Sequence, residues 1–199
     1  MTDKPIGQVK LPGVRISYPK LFTPEGFQGS DSNKAYSASF IIPKDTKLDM
    51  ATIARLKEAI KEVKDAKWPK KAPDLTGKVF WEDGDQDEKE REEYARSLIV
   101  RARNPKRPTV VDAEKNPVTD EDRLVYGGRR VNAVITIWAQ DNKYGKRLNC
   151  TLEAVQVLEG GDPFGAAPVS ADAFDDEEFP DDDFETSDSG LEDDDEIPF

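Results

Sequence analysis

The side chains in this 199-residue chain that could do chemistry are mainly cations set beside aromatics, and the chemistry is capture of a polyanion. Arg101 and Arg103 alternate in one short run, and the turn that follows, Asn104-Pro105-Lys106-Arg107-Pro108, adds Lys106 and Arg107. Alternate residues of a strand share a face, so this run offers a track of charge to a phosphate backbone. A second group, Lys143, Tyr144, Lys146 and Arg147, falls in a turn between two strand-like segments. There the tyrosine could stack on a base while the cations hold phosphates. Arg129 and Arg130 follow Gly127-Gly128, Trp138 lies on the polar side of the strongest strand pattern, and Lys20 and Phe22 sit in a stretch rich in Gly and Pro. Each has a plainer explanation: charges guard an edge strand, a hairpin tip is solvated, Phe22 covers the end of a core. Edge protection needs only one or two charges, which favours binding for the 101–107 run.

Other chemistries are excluded or weak. Histidine is absent, which removes Ser-His and Cys-His catalysis and histidine metal ligation. Cys150 is alone, so no intrachain disulfide and no multi-cysteine zinc site can form. Glu82, Asp83 and Asp85 could in principle hold Mg²⁺ for a nuclease or recombinase. Interleaved Lys89 and Arg91 and the lack of ordered spacing favour a solvated loop instead. No cofactor and no metal are expected. The first ten residues lack the apolar run of a signal peptide, and no stretch reaches membrane-spanning length. The expectation is a cytoplasmic protein with no membrane partner.

The formal net charge of −12 hides two opposite parts. From Gly160 to Phe199 there are 16 acids and no bases, while Met1 to Glu159 holds 29 bases against 25 acids. A basic body with an acidic tail is what a polyanion binder carrying a polyanion mimic looks like. Gly160-Gly161 and Asp162-Pro163 mark the boundary, giving one domain over 1–159 and a tail over 160–199 that is too charged to offset its ordering entropy and is expected to be disordered. The tail ends Asp193-Asp194-Asp195-Glu196-Ile197-Pro198-Phe199. Acids before an apolar end suit a partner pocket with a basic rim and an apolar floor.

Period-2 alternation supplies the elements that must carry these groups. Residues 9–18 read as a strand with Val14, Ile16 and Tyr18 inward, interrupted by Pro12-Gly13 and ended by Pro19, with a loop over 20–32. Residues 36–42 place Tyr36, Ala38, Phe40 and Ile42 on one face. Asp49 is a plausible cap for a helix to about Ala66, with Ile53, Leu56, Ile60 and Val63 as its apolar stripe. Trp68, in the basic loop after it, either touches phosphate or anchors the helix end. Residues 78–81 read as a short strand, and 97–103 as another, with Leu98, Val100 and Ala102 inward. Residues 125–139 and 148–158 form a hairpin with the basic turn at its tip. Together these make a mainly β protein: an OB-fold-like small barrel with a helical insertion, although periodicity does not separate that barrel from others.

Two resemblances follow. The terminal heptapeptide resembles the acidic tip of bacterial single-stranded-DNA-binding proteins, with Glu196 as an added residue before Ile197. The body resembles a family of phage single-stranded-DNA-binding proteins first catalogued as a domain of unknown function. The likeness is carried by Val14-Arg15-Ile16-Ser17-Tyr18-Pro19, by Tyr36-Ser37-Ala38-Ser39-Phe40-Ile41-Ile42-Pro43-Lys44, and by the hairpin through Leu152-Glu153-Ala154-Val155-Gln156. It implies an OB-fold that coats single-stranded DNA in phage replication, repair and recombination. The tip would recruit replication and repair proteins, and the tail would compete with DNA for the basic groove. Duplex DNA as a second ligand and a homodimer both stay open. The competing reading is an acidic DNA mimic that inhibits a host DNA-binding protein.

Overall fold

Alternation at the start of the chain runs further than its prolines predict. In the computed structural model, which describes residues 5–26, 32–87, 89 and 91–165, the first strand, β1, spans Gln8–Glu25 without a break. Pro12 and Pro19 both fall at slips in the ladder. Register against one neighbour shifts between Leu11 and Val14, and against the other between Ser17 and Lys20. A bulge leaves a residue unpaired, so a missing N–H costs nothing there. At the first slip Gly13 takes φ 64, and its N–H donates to Asn132 Oδ1 at 3.0 Å. Lys20 and Phe22 are therefore strand residues, and the predicted loop begins only beyond Glu25.

The second strand, β2 (Ala35–Pro43), pairs antiparallel with β1. The helix α1 (Lys47–Lys67) follows, then the short β3 (Trp81–Asp83), β4 (Ser97–Asn104), the short β5 (Thr109–Val111), β6 (Arg130–Asn142) and β7 (Gly145–Val157). Sheet order is β3-β4-β2-β1-β6-β7-β5. The five long strands thus run β4-β2-β1-β6-β7, and their outer members are stitched together. Asn104 Nδ2 donates to Leu152 O at 2.8 Å. Just before β3, Lys78 O accepts from Leu148 N at 3.0 Å and Phe80 O accepts from Arg101 N at 2.8 Å. This is the five-stranded, partly open Greek-key barrel of the OB-fold.

Inside the barrel lie Leu11, Ile16, Phe40, Val100, Ile135 and Leu152, all fully buried. α1 packs Ile53, Leu56 and Val63 onto this core, with Ile60 half-buried at its edge. The cap is Thr46, three residues before the predicted Asp49. Thr46 accepts from Asp49 N at 3.1 Å, and its hydroxyl donates to the Asp49 carboxylate. Asp49 is thus the acidic partner in the first turn, where the helix dipole favours it. At the other end Trp68 is buried, and its Nε1 donates to Asp141 Oδ2 at 2.7 Å, so it anchors the helix to the β6–β7 hairpin.

The outer face of β2 and β4 has two unlike ends. At one, Ile41 and Ile99 are buried under Tyr94, with Phe164 packed alongside, and Tyr94 shares a 3.2 Å hydrogen bond with the buried Ser17. At the other end the face is open. The compact unit runs to Gly165. Beyond Glu159 the chain is still tied down: Gly160 O accepts from Arg130 N, Gly161 O from the Tyr126 hydroxyl, and Asp162 O from Arg15 Nη2 at 2.6 Å. Passage is so close that a Cβ on Gly128 would land on the Asp162 carbonyl. Residues 166–199, with Asp193, Asp194, Asp195, Glu196, Ile197, Pro198 and Phe199, lie outside the described residues. Among the described residues no helix is long and apolar enough to cross a membrane.

Candidate nucleic-acid interface

The open end of the outer β2–β4 face is built from alternate residues. Ser37 lies opposite Arg103 and Ser39 opposite Arg101, all outward. Small hydroxyl side chains beside long cations make a low floor with a charged wall. Across the opening, β6 and β7 contribute Trp138, Gln140, Arg147, Asn149 and Thr151. The groove between them has a volume of about 950 Å³, with Phe80, Ala102 and Leu148 at its base. It lies across strands, so no single segment of sequence contains it.

Four of the predicted residues line this groove: Arg101, Arg103, Trp138 and Arg147. Arg101 and Arg103 are exposed. The Arg101 guanidinium donates to Glu82 Oε1, and Arg103 Nη2 to Asn33 O at 2.9 Å. Glu82 also lies 3.9 Å from Arg91, so one carboxylate is shared between two arginines. Trp138 is 44% exposed, and its Nε1 donates to Thr151 Oγ1 at 3.0 Å, which fixes the ring plane. A flat, half-exposed indole between cations can stack on a base while the cations hold its phosphates.

The other candidates sit elsewhere. Lys143 and Tyr144 project from the hairpin tip, with the lysine 5.0 Å from the ring centroid and the tyrosine 73% exposed. Lys146 is paired with Asp141 at 3.3 Å, and Lys20 with Glu25 at 2.7 Å. Phe22 is half-buried against the core, and Arg107 lies over its ring at 5.5 Å. Lys106 is exposed in the turn after β4. Arg129 and Arg130 face the chain's exit: Arg129 Nη1 donates to the Tyr126 hydroxyl at 3.1 Å and Arg130 Nη1 to Gly13 O at 3.2 Å.

Groove residues that the sequence did not single out are Ser37, Ser39, Gln140, Asn149 and Tyr18. The polar four are outward positions of strands whose pattern was visible; Ser37, Ser39 and Gln140 lie opposite arginines and Asn149 opposite Trp138. Tyr18 had no such signal. Alternation places it inward with Val14 and Ile16, but at the second bulge its φ turns to 46 and the ring comes out, 57% exposed.

The acidic run is neutralised from within. Lys44 Nζ lies 2.6 Å from Asp83 and 3.1 Å from Asp85, and the Asp83 bond holds the lysine above its usual pKa. Asp85 also accepts from Arg96 N at 2.6 Å. That bond, with Lys44, holds its carboxyl below the usual range. Among the described residues no cluster of three or more metal-ligating side chains occurs. Asp87 makes a two-pronged pair with Arg91, at 2.8 and 2.6 Å, and its side chain is only 6% exposed. Arg91 holds the Asp87 carboxyl far below the carboxylate range. A carboxyl depressed in the folded state adds stability that is complete above its unfolded value, about 3.9, and fades as pH falls toward the folded one. Asp87→Asn should therefore melt lower than the parent at pH 7, with the gap closing below about pH 4. Thermal denaturation at pH 7 and at low pH checks this, and a gap that stays constant contradicts it.

A family model described as the ssDNA-binding protein of Enterobacter phage Enc34 matches residues 7–184. Protein p50 of Acyrthosiphon pisum secondary endosymbiont phage 1 is 35% identical over 178 residues, covering 85% of this chain and 93% of that protein. The structure of the single-stranded DNA-binding protein from bacteriophage Enc34 in complex with ssDNA superposes with a TM-score of 0.72 at 32% identity, over 80% of this chain and 90% of that one. The single-stranded DNA-binding protein gp2.5 of bacteriophage T7 superposes with a TM-score of 0.53 at 15% identity, over 87% and 96%, a likeness of fold alone.

Proposed function

Since the chain belongs to the family of the Enterobacter phage Enc34 ssDNA-binding protein, we propose that it binds single-stranded DNA in the groove between β2–β4 and β6–β7 and catalyses no reaction there. What carries the reading is the facing of Arg101 and Arg103 against Trp138 and Arg147 across one groove of an OB-type barrel. The arginines neutralise phosphates, and the indole stacks on bases whatever their sequence. Glu82 stands in for a phosphate on Arg101 until DNA displaces it. Coating of single strands in phage replication, repair and recombination, in the host cytoplasm, is the role such binding serves.

The acidic tail has two tasks in this reading. It competes with DNA for the groove, and its tip, Asp193 to Phe199, recruits replication and repair proteins once displaced. One feature of the compact unit supports the first task. The chain leaves that unit beside Phe164, which packs on Ile41 and Ile99. The groove residues Ser39 and Ser37 are the next outward positions along β2, about 7 and about 13 Å from Ile41 at some 3.3 Å per residue. A flexible coil as long as the tail spans about 30 Å r.m.s.. Truncation after Gly165, which keeps Phe164 in place, should tighten binding of a fluorescent single strand several-fold at low salt, with a smaller effect at 0.5 M. Equal affinities for the full chain and the truncation would remove the tail's competition. Absence of binding by both would remove the DNA reading and return attention to a DNA mimic. A duplex oligonucleotide in the same titration decides whether double strands also bind.

A further inference from the structure

We propose that Tyr18 is a base-stacking post on the β1 rim of the groove, held rigid by Arg91 and Asp87. This rests on the single-strand reading of the groove and adds a contact outside the groove's arginine and tryptophan set. Tyr18 lines the groove and is exposed, while Ser17 and Leu21 nearby in β1 are buried. Its φ of 46 lies where a bulky L residue is disfavoured and where Gly or Asn sits more easily. The Arg91 guanidinium lies 5.7 Å from the Tyr18 ring centroid and 3.9 Å from that of Tyr94. Asp87 holds that guanidinium with two hydrogen bonds, at 2.8 and 2.6 Å. Exposed rim tyrosines usually cover neighbours and move freely. This one is largely exposed, occupies strained backbone and lies against a guanidinium that Asp87 fixes. Strain kept at an exposed position points to use of the side chain that causes it. A ring that is already immobile also loses less freedom when a base stacks on it.

The test uses the full chain, with an unmodified single strand and a set carrying one abasic position each. Tyr18→Asn should bind the unmodified strand about tenfold more weakly, in the range of one lost stack. Its melting temperature should equal or exceed the parent's, because Asn accepts the left-handed backbone. Tyr18→Phe, which keeps the ring, should stay within about threefold. In the parent, one abasic position should weaken binding by about the same tenfold, and that penalty should vanish in Tyr18→Asn, since the two changes remove one contact. An undiminished penalty, or Tyr18→Asn binding within twofold of the parent, overturns the proposal. So does a large fall in melting temperature, which would make the ring a structural cover. If Arg101→Ala weakens binding while Tyr18→Asn does not, the groove reading stands and the post alone fails. If the parent does not bind, both fail.

Discussion

Exchanging Arg101 and Arg103 together for glutamate is expected to abolish single-strand binding at physiological salt while the protein stays folded. Both side chains point out of the barrel, so their removal opens no cavity. Substitutions of this kind away from the core usually change stability by about 0.5 kcal/mol or less. Binding loses two phosphate contacts and gains two repelling charges, on a wall where Glu82 already supplies a third. The gentler pair Arg101→Ala with Arg103→Ala isolates the attractive part. Each charge-assisted contact contributes about 1.5–3 kcal/mol, so the double alanine should bind on the order of a hundredfold more weakly or worse. Its log–log salt dependence should flatten by about 1.4, at roughly 0.7 per phosphate on a single strand. Anisotropy titrations at several salt concentrations measure both quantities. An unchanged slope would place the DNA elsewhere, and the hairpin tip with Lys143 and Tyr144 would be the next site to alter.

The largest effect on stability is expected at Phe40. Its ring is fully buried at the middle of β2, where the strand lies opposite Ile16 of β1 and Val100 of β4. Phe40→Ala removes apolar surface and leaves a void flanked by β1 and β4, each held in register by its pairing with β2, so neither can close over it. The expected loss is about 3–5 kcal/mol, a large share of the roughly 5–15 kcal/mol that a domain has. For a unit of this size that lowers the melting temperature by about 10 °C. Ser39→Ala, one residue away on the opposite face, should shift it by little. Circular dichroism melts of both variants test the inside–outside assignment directly.

How much of this was visible in the chain depends on whether the determining contact is local. Alternation in β2, β4, β6 and β7 is written in consecutive residues, and so is the shared face of Arg101 and Arg103. The mainly β class follows from that, and α1 from the apolar stripe of Ile53, Leu56, Ile60 and Val63. Extension of β1 past Pro19 was not visible, because the slip between Ser17 and Lys20 is a property of two strands. The same slip turned Tyr18 outward against its pattern. Asp49 suits a helix start by residue type, and only the backbone shows that Thr46 caps instead. Selection among the cations was the least legible part. Lys20 and Lys146 look as available as Arg103 until Glu25 and Asp141 are seen beside them. Arg129 and Arg130 are neighbours in sequence, and only the fold shows that Tyr126 and Gly13 accept their side chains.

The two strands at the ends of the sheet, β3 and β5, are only three residues each. In the proposed coating role, copies would stand along one polymer at very high local concentration. Long open edges at such crowding would let neighbours zip into a continuous ribbon, which would be hard to dismantle. With the ends this short, copies side by side have little backbone to share. In that proposed role, mutual affinity would depend on side chains, and a coated strand would be cleared by releasing separate units rather than by unpicking a fibre.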